Sequence, residues 1–147
     1  MSADITGAGW KELGYSDIPE IDPAEAGRRL VQLVSDDDFV LFEYWRTDYA
    51  GHSERFSEAV DALERLDRML AGIVETIDTR STLLFITSDH GNVEDMSTKT
   101  HTRNPVPALL FGRDHEAVAA RLRSTESNGA DLTLVTPLLV EYISSYR

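Results

Sequence analysis

The stretch Leu83-Leu84-Phe85-Ile86-Thr87-Ser88-Asp89-His90-Gly91-Asn92 decides how the rest of the chain is read. Leu83 to Thr87 is a short apolar run of the kind that forms a strand covered on both faces. Directly after it come an acid, an imidazole and a glycine that permits a tight turn. Two further runs repeat the theme: Phe39 to Tyr44 (FVLFEY) and Pro107 to Phe111 (PALLF). Each is expected to be a strand, and a run as apolar as Phe39–Tyr44 suits the interior of a parallel sheet.

Helices are expected between and around these strands. Asp22 followed by Pro23 signals a helix start, a capping carboxylate and then a proline where the missing N–H costs nothing. Glu25 favours the same start through the helix dipole, and Leu30, Val31 and Val34 supply an apolar side. Arg46 to His52 reads as a short polar connection. Ser53 caps a long helix in which Phe56, Val60, Leu63, Leu66, Leu70, Ile73, Val74 and Ile77 recur at three- and four-residue steps. Ala117 to Leu122 and Leu134 to Ile143 are expected to be helical, with Pro137 tolerable only near the first turn. Before Asp22 the chain carries Gly7, Gly9, Gly14 and Pro19 with no sustained period, so residues 1–22 read as an irregular lead-in. Alternating helices and strands over residues 23–147 point to one α/β domain with a mostly parallel sheet.

Composition narrows the function classes. With 26 Asp and Glu against 14 Lys and Arg among 147 residues, the formal charge is −12. That balance argues against nucleic acid or an anionic membrane as partner, because phosphate contacts need basic residues. The chain has no cysteine, which excludes disulfides, thiolate metal sites and a cysteine nucleophile. No apolar run approaches membrane-spanning length. Met1 to Trp10 lacks the basic flank and apolar stretch of a secretion signal, so a cytoplasmic location is expected.

Ligands of open α/β sheets gather at the carboxyl ends of strands. Asp48-Tyr49-Ala50-Gly51-His52 follows the first strand, Ser88-Asp89-His90-Gly91-Asn92 follows the second, and His101-Thr102-Arg103-Asn104-Pro105-Val106-Pro107 leads into the third. Each segment alone has an ordinary explanation: an Asp four residues before a His is often a surface pair, and a histidine in a polar loop is often just solvated. Together they bring two carboxylates and three imidazoles to one edge of the expected sheet, the usual donor types for zinc and manganese. Carboxylates crowded there would repel one another without a cation. His115, between Asp114 and Glu116 at a helix start, reads instead as a solvated or capping residue. Asp36-Asp37-Asp38 lacks the spacing and glycine of a calcium loop and reads as a solvated turn.

Ile86-Thr87-Ser88-Asp89-His90-Gly91-Asn92 resembles the T-[AS]-D-H-G-N segment of the alkaline phosphatase superfamily, nearest to the cofactor-independent phosphoglycerate mutases and phosphopentomutases. His101 to Pro107 resembles their H-T-x-N-P-V-P segment, and Asp48 to His52 their D-x-x-G-H segment. The three stand in the family's order, and the resemblance spans about residues 38 to 143. It implies part of an alkaline phosphatase-like three-layer sandwich. It also implies two divalent ions, manganese or zinc, with Asp48, His52 and His101 holding one and Asp89 and His90 contributing to the other. Such ions flank a Ser or Thr that is phosphorylated and dephosphorylated in turn, as in isomerases and hydrolases of phosphorylated small molecules.

The sequence departs from that family in one respect. The family's strand bearing a further Asp, followed by a helix that starts with the nucleophilic Ser or Thr, has no counterpart before Asp48. Asp4, Asp17 and Asp22 precede no comparable unit, and no catalytic nucleophile is identified. The expectation is therefore the C-terminal portion of a phosphomutase or phosphatase-type hydrolase. It would hold about one ion by itself and be completed by an N-terminal half or a partner chain. Residues 1–22 then read either as the end of a connection from an inserted cap domain or as an irregular terminus. Arg103 reads either as a ligand for a substrate phosphate oxygen or as a surface ion-pair residue. The alternative is a non-catalytic metal-binding domain that acts with a partner chain.

Overall fold

The computed structural model describes residues 4–126 and 131–146. In chain order the elements are α1 (Ala8–Glu12), α2 (Pro23–Val34), α3 (Arg46–Ser53), α4 (Phe56–Thr76), β1 (Leu83–Thr87), β2 (Ala108–Gly112), α5 (His115–Glu126), a 3-10 turn (Leu132–Leu134) and α6 (Val135–Ser144). They form two compact units: Met1–Ile77 with His90–Pro105, and Asp78–Asp89 with Val106–Arg147.

The first unit is helical. α2 starts as the sequence implies: Asp22 Oδ1 accepts the Ala24 N–H at 2.8 Å, and Pro23 occupies the first turn. The lead-in contains the short helix α1. α2 packs chiefly on α4, and two glycines set how close they come. A Cβ on Gly27 would stand 2.1 Å from the Met69 carbonyl oxygen, and one on Gly72 would stand 2.1 Å from that of Ala24. Neither helix has room for a methyl group at the crossing.

That close approach lies on the buried face of α4. Ala59, Ala62, Met69, Gly72 and Ile73 line the interior, so the buried stripe is mostly small residues. The large residues expected to form it divide. Ile73 is buried, whereas Phe56, Leu63 and Val74 are exposed, on a stripe roughly 100° away round the helix. Three- and four-residue spacing marks both stripes equally, and the close contact at Gly72 lies on the buried one. The helix begins at Phe56 with Arg55 at its cap position, and the Ser53 hydroxyl accepts the Arg55 N–H at 3.3 Å.

Two expectations for strands and connections are corrected here. Arg46 to Ser53 is a helix and not a polar connection. Phe39 to Tyr44 is not one of the strands. Only Glu43 in it joins an isolated bridge, and Phe39 and Leu41 are 53% and 63% exposed. A run of this composition becomes a buried strand only when neighbours pair its backbone and cover its faces.

In the second unit, β1 and β2 pair with Leu83 opposite Gly112 and Thr87 opposite Ala108. The pair is antiparallel, where a mostly parallel sheet was expected. Residues 88–107 contain no helix to carry a crossover, and a chain that simply turns back pairs antiparallel. The architecture is accordingly α/β, with a two-stranded antiparallel sheet among the described residues. α5 starts beside β2, where His115 Nδ1 lies 2.8 Å from the Gly112 carbonyl oxygen, a local capping contact. In α6, Pro137 falls in the first turn. Among the described residues, Val118 and Leu138 are the buried apolar side chains of this unit. Among the described residues no helix is long and apolar enough to cross a membrane.

The glycine contact between α2 and α4 makes a direct prediction. Gly27→Ala should destabilise the chain by about 3 kcal/mol, the upper end of overpacking costs, because backbone and not a movable side chain blocks the methyl group. Ala71→Ser, on the exposed side of α4, should stay within about 0.5 kcal/mol. Urea unfolding of the two variants, read by circular dichroism, checks both.

Candidate metal centre

The site lies within the helical unit, on α3 and the loop from His90 to Pro105. Asp48 in the first turn of α3 and His52 in its last turn are four residues apart, so both side chains leave the same helical face. His90 and His101 come from opposite ends of the loop, which an isolated bridge between Gly91 and Thr102 draws together.

Four ligand atoms converge. Asp48 Oδ1 lies 3.3 Å from His52 Nε2, 3.4 Å from His101 Nε2 and 3.8 Å from His90 Nε2. His52 Nε2 and His101 Nε2 are 3.2 Å apart. The ligand atoms of Asp48, His90 and His101 all lie within 4.8 Å of one another. The rings of His90 and His101 stack with centroids 3.6 Å apart and an interplanar angle of 11°.

These distances can be tested against an ion. Metal–ligand bonds of about 2.0 to 2.1 Å in a tetrahedron place neighbouring ligand atoms about 3.3 Å apart. The three edges between Asp48, His52 and His101 are 3.3, 3.4 and 3.2 Å, which is one face of such a tetrahedron. The fourth converging atom, His90 Nε2, stands beside that face, 3.8 Å from Asp48 Oδ1. The donor set therefore fits a divalent cation.

The surroundings favour the same ligand atoms. His52 Nδ1 lies 2.6 Å from the Lys99 carbonyl oxygen, so its N–H is held there and the Nε2 lone pair faces the cluster. Asn92 is 6% exposed, and its Nδ2 donates to Asp48 Oδ1 at 3.0 Å. Glu94 ties the loop together. It accepts the Asn92 backbone N–H at 2.6 Å, the Asn104 side-chain amide at 3.0 Å and the Thr102 hydroxyl. The Thr102 hydroxyl is the main reason that the Glu94 carboxyl is held down at about 2.

Of the residues singled out from sequence, Asp48, His52, His90 and His101 come together in this cluster. Asp89 is exposed at the carboxyl end of β1 and belongs to the other unit, as its last residue before His90. Arg103 is exposed and makes no ion pair among the described residues. Sequence reasoning passed over Asn92, Glu94, Thr102 and Asn104. Asn92 and the two loop residues stand inside the quoted motifs, but nothing in their spacing announces the hydrogen bonds they make.

Comparison with known proteins agrees with the donor chemistry. The family profile of the Metalloenzyme superfamily matches residues 14–145, and the chain belongs to that family. Among curated relatives, it is 32% identical over 132 residues to a 2,3-bisphosphoglycerate-independent phosphoglycerate mutase of Thermomicrobium roseum, covering 84% of this chain and 25% of the relative. A protein of the same name from Haloquadratum walsbyi is 28% identical over 137 residues, covering 88% of this chain and 26% of that relative. One from Pyrococcus abyssi is 36% identical over 85 residues, covering 58% and 20% respectively. Among solved structures, the PH0037 protein from Pyrococcus horikoshii matches with a TM-score of 0.53 and 32% identity, covering 58% of this chain and 26% of that one. The chain thus spans about a quarter or less of the length of these curated relatives.

Two measurements follow. Titration with zinc or manganese should show about one ion per chain. His52→Ala and His101→Ala should each weaken binding by more than about 100-fold, since direct ligands matter more than the outer partners whose loss costs 10- to 100-fold. The hold on Glu94 should also be visible in acid. With its pKa depressed in the fold, its stabilising contribution is complete above pH 4.5 and is lost as pH falls towards about 2. Thr102→Val should move the titration of the Glu94 carboxyl upward, towards its ordinary value, as read by carbon NMR.

Proposed function

We propose that this chain is the metal-holding portion of a phosphoryl-transfer enzyme of the phosphoglycerate mutase type, completed by residues from outside it. The observation that carries the reading is the triangle of Asp48, His52 and His101 ligand atoms, whose edges match those of one bound cation. The relatives named as phosphoglycerate mutases supply the reaction class. Zinc and manganese both suit a donor set of one carboxylate and two imidazoles.

The roles divide among the chain's own residues. Asp48, His52 and His101 hold the first ion. Asp89 and His90 are the residues we assign to a second, which needs further ligands from beyond this chain. A bound ion polarises a phosphoryl oxygen and makes a nearby hydroxyl a better nucleophile. Arg103, exposed and two residues after His101 in the chain, is our candidate to take a phosphate oxygen of a phosphorylated small-molecule substrate. The Ser or Thr that carries the phosphoryl group belongs to the completing sequence. Phe39 to Tyr44 is the stretch we assign to strand pairing with it, as part of a parallel sheet in a three-layer fold.

A non-catalytic metal-binding domain working with a partner chain shares this metal face. The exposed Phe39, Leu41 and Trp45 favour a partner under either reading. Turnover separates the two. The zinc- or manganese-loaded chain by itself should give little or no conversion of phosphoglycerate and little hydrolysis of a generic phosphate ester. Co-expression with a polypeptide bearing the strand, Asp and Ser or Thr unit should restore conversion, and no restoration would favour the non-catalytic domain. Robust turnover by the chain alone would show that the nucleophile lies within it. The same exposed residues predict self-association of the isolated chain, and sedimentation as a single monomeric species at high concentration would contradict the missing cover.

A further inference from the structure

We propose that Asn92 is a positioning residue for the metal ligands: its side-chain amide holds Asp48 and His52 aligned before an ion arrives. The inference deepens the metal reading above and rests on it. Asp48 Oδ1 and His52 Nε2 are both acceptors, because the His52 N–H is committed to the Lys99 carbonyl. Two acceptors 3.3 Å apart have no attraction for one another. The two N–H bonds of one amide nitrogen answer both. Asn92 Nδ2 lies 3.0 Å from Asp48 Oδ1 and 3.3 Å from His52 Nε2.

The seat for this amide is built into α3. A Cβ on Gly51 would fall 1.3 Å from Asn92 Oδ1 and 2.5 Å from its Cγ, so the side chain occupies the space that Gly51 leaves open. Gly51 lies between the ligand-bearing residues Asp48 and His52, and glycine there is a requirement of the Asn92 amide. From the other side, Glu94 accepts the Asn92 backbone N–H at 2.6 Å, and the Asp95 N–H donates to the Asn92 carbonyl at 3.1 Å. The amide is therefore held at both ends. The His52 lone pair, now engaged by one N–H, would be the one offered to a bound ion. The other N–H keeps its bond to Asp48, which has a second lone pair to offer.

A merely structural Asn92 would fill the seat and nothing more, and a pair of substitutions distinguishes the two roles. Asn92→Ala removes the donor and opens a gap, whereas Gly51→Ala/Asn92→Ala removes the donor but refills the seat with a methyl group. Zinc affinity of the folded full chain, measured by chelator competition, should fall about 10- to 100-fold in both variants, while the melting temperature recovers in the double variant. Affinity that returns to the wild-type level together with the melting temperature, or that never falls in Asn92→Ala, would overturn the proposal. The wild-type chain supplies a readout free of any folding defect. In NMR, the Asn92 side-chain amide protons should exchange slowly without zinc, and zinc should release one and keep the other. Exchange of both as fast as in a surface asparagine would refute the positioning role while leaving zinc binding intact. A wild-type chain that binds no zinc would refute the metal reading itself, and this inference with it.

Discussion

Crowded acceptors dominate the helical unit. A carboxylate oxygen and two imidazole nitrogens stand 3.2 to 3.4 Å apart at the mouth of α3, a spacing that costs free energy unless something positive lies among them. An arrangement of this kind persists only where the surrounding chain enforces it. Here the enforcement comes from the spacing of Asp48 and His52 on one helix, and from a loop clasped by the Gly91–Thr102 bridge and the Glu94 carboxylate. Asn92 joins the two halves, reaching from the loop into the gap at Gly51. The site is thus held by its outer contacts, with the ligand atoms of Asp48, His52 and His101 gathered at its centre.

Glycine has the same physical use at two scales in this unit. At Gly27 and Gly72 it lets helix backbones touch, and at Gly51 it lets a polar side chain touch a helix backbone. The first contact lies on the buried stripe of α4. Phe56, Leu63 and Val74 of α4 are exposed, as are Phe39, Leu41 and Trp45 outside that helix. These side chains are the ones for which we propose a covering partner.

Much of the site was legible in sequence because its chemistry is local. Asp48 and His52 sit four residues apart, His90 follows a strand, and His101 precedes a proline-rich return, so the donor types and their order could be read directly. The start of α2 at Asp22-Pro23 and the strand Leu83–Thr87 were equally plain, since caps and apolar runs act over a few residues. Less legible was α3, whose polar residues hide a helix, because its apolar contact is made by Ala50 and Gly51 and not by large side chains. Strand direction was misread because composition records that a strand is apolar and not which way its neighbour runs.

By itself, then, the sequence determined the kinds of donor, their order along the chain and the local elements that carry them, all of which depend on neighbours within a turn or two. Tertiary structure decided which atoms meet. It brought His101 within 3.2 Å of His52 across 49 residues, seated Asn92 against Gly51, turned the Ala59–Ala62–Met69 face of α4 inward and left Phe39–Tyr44 without a covering partner. These outcomes are set by steric fit and by hydrogen bonds between residues distant in sequence. No periodicity or composition encodes such contacts, because their free energy exists only once the backbone has closed around them.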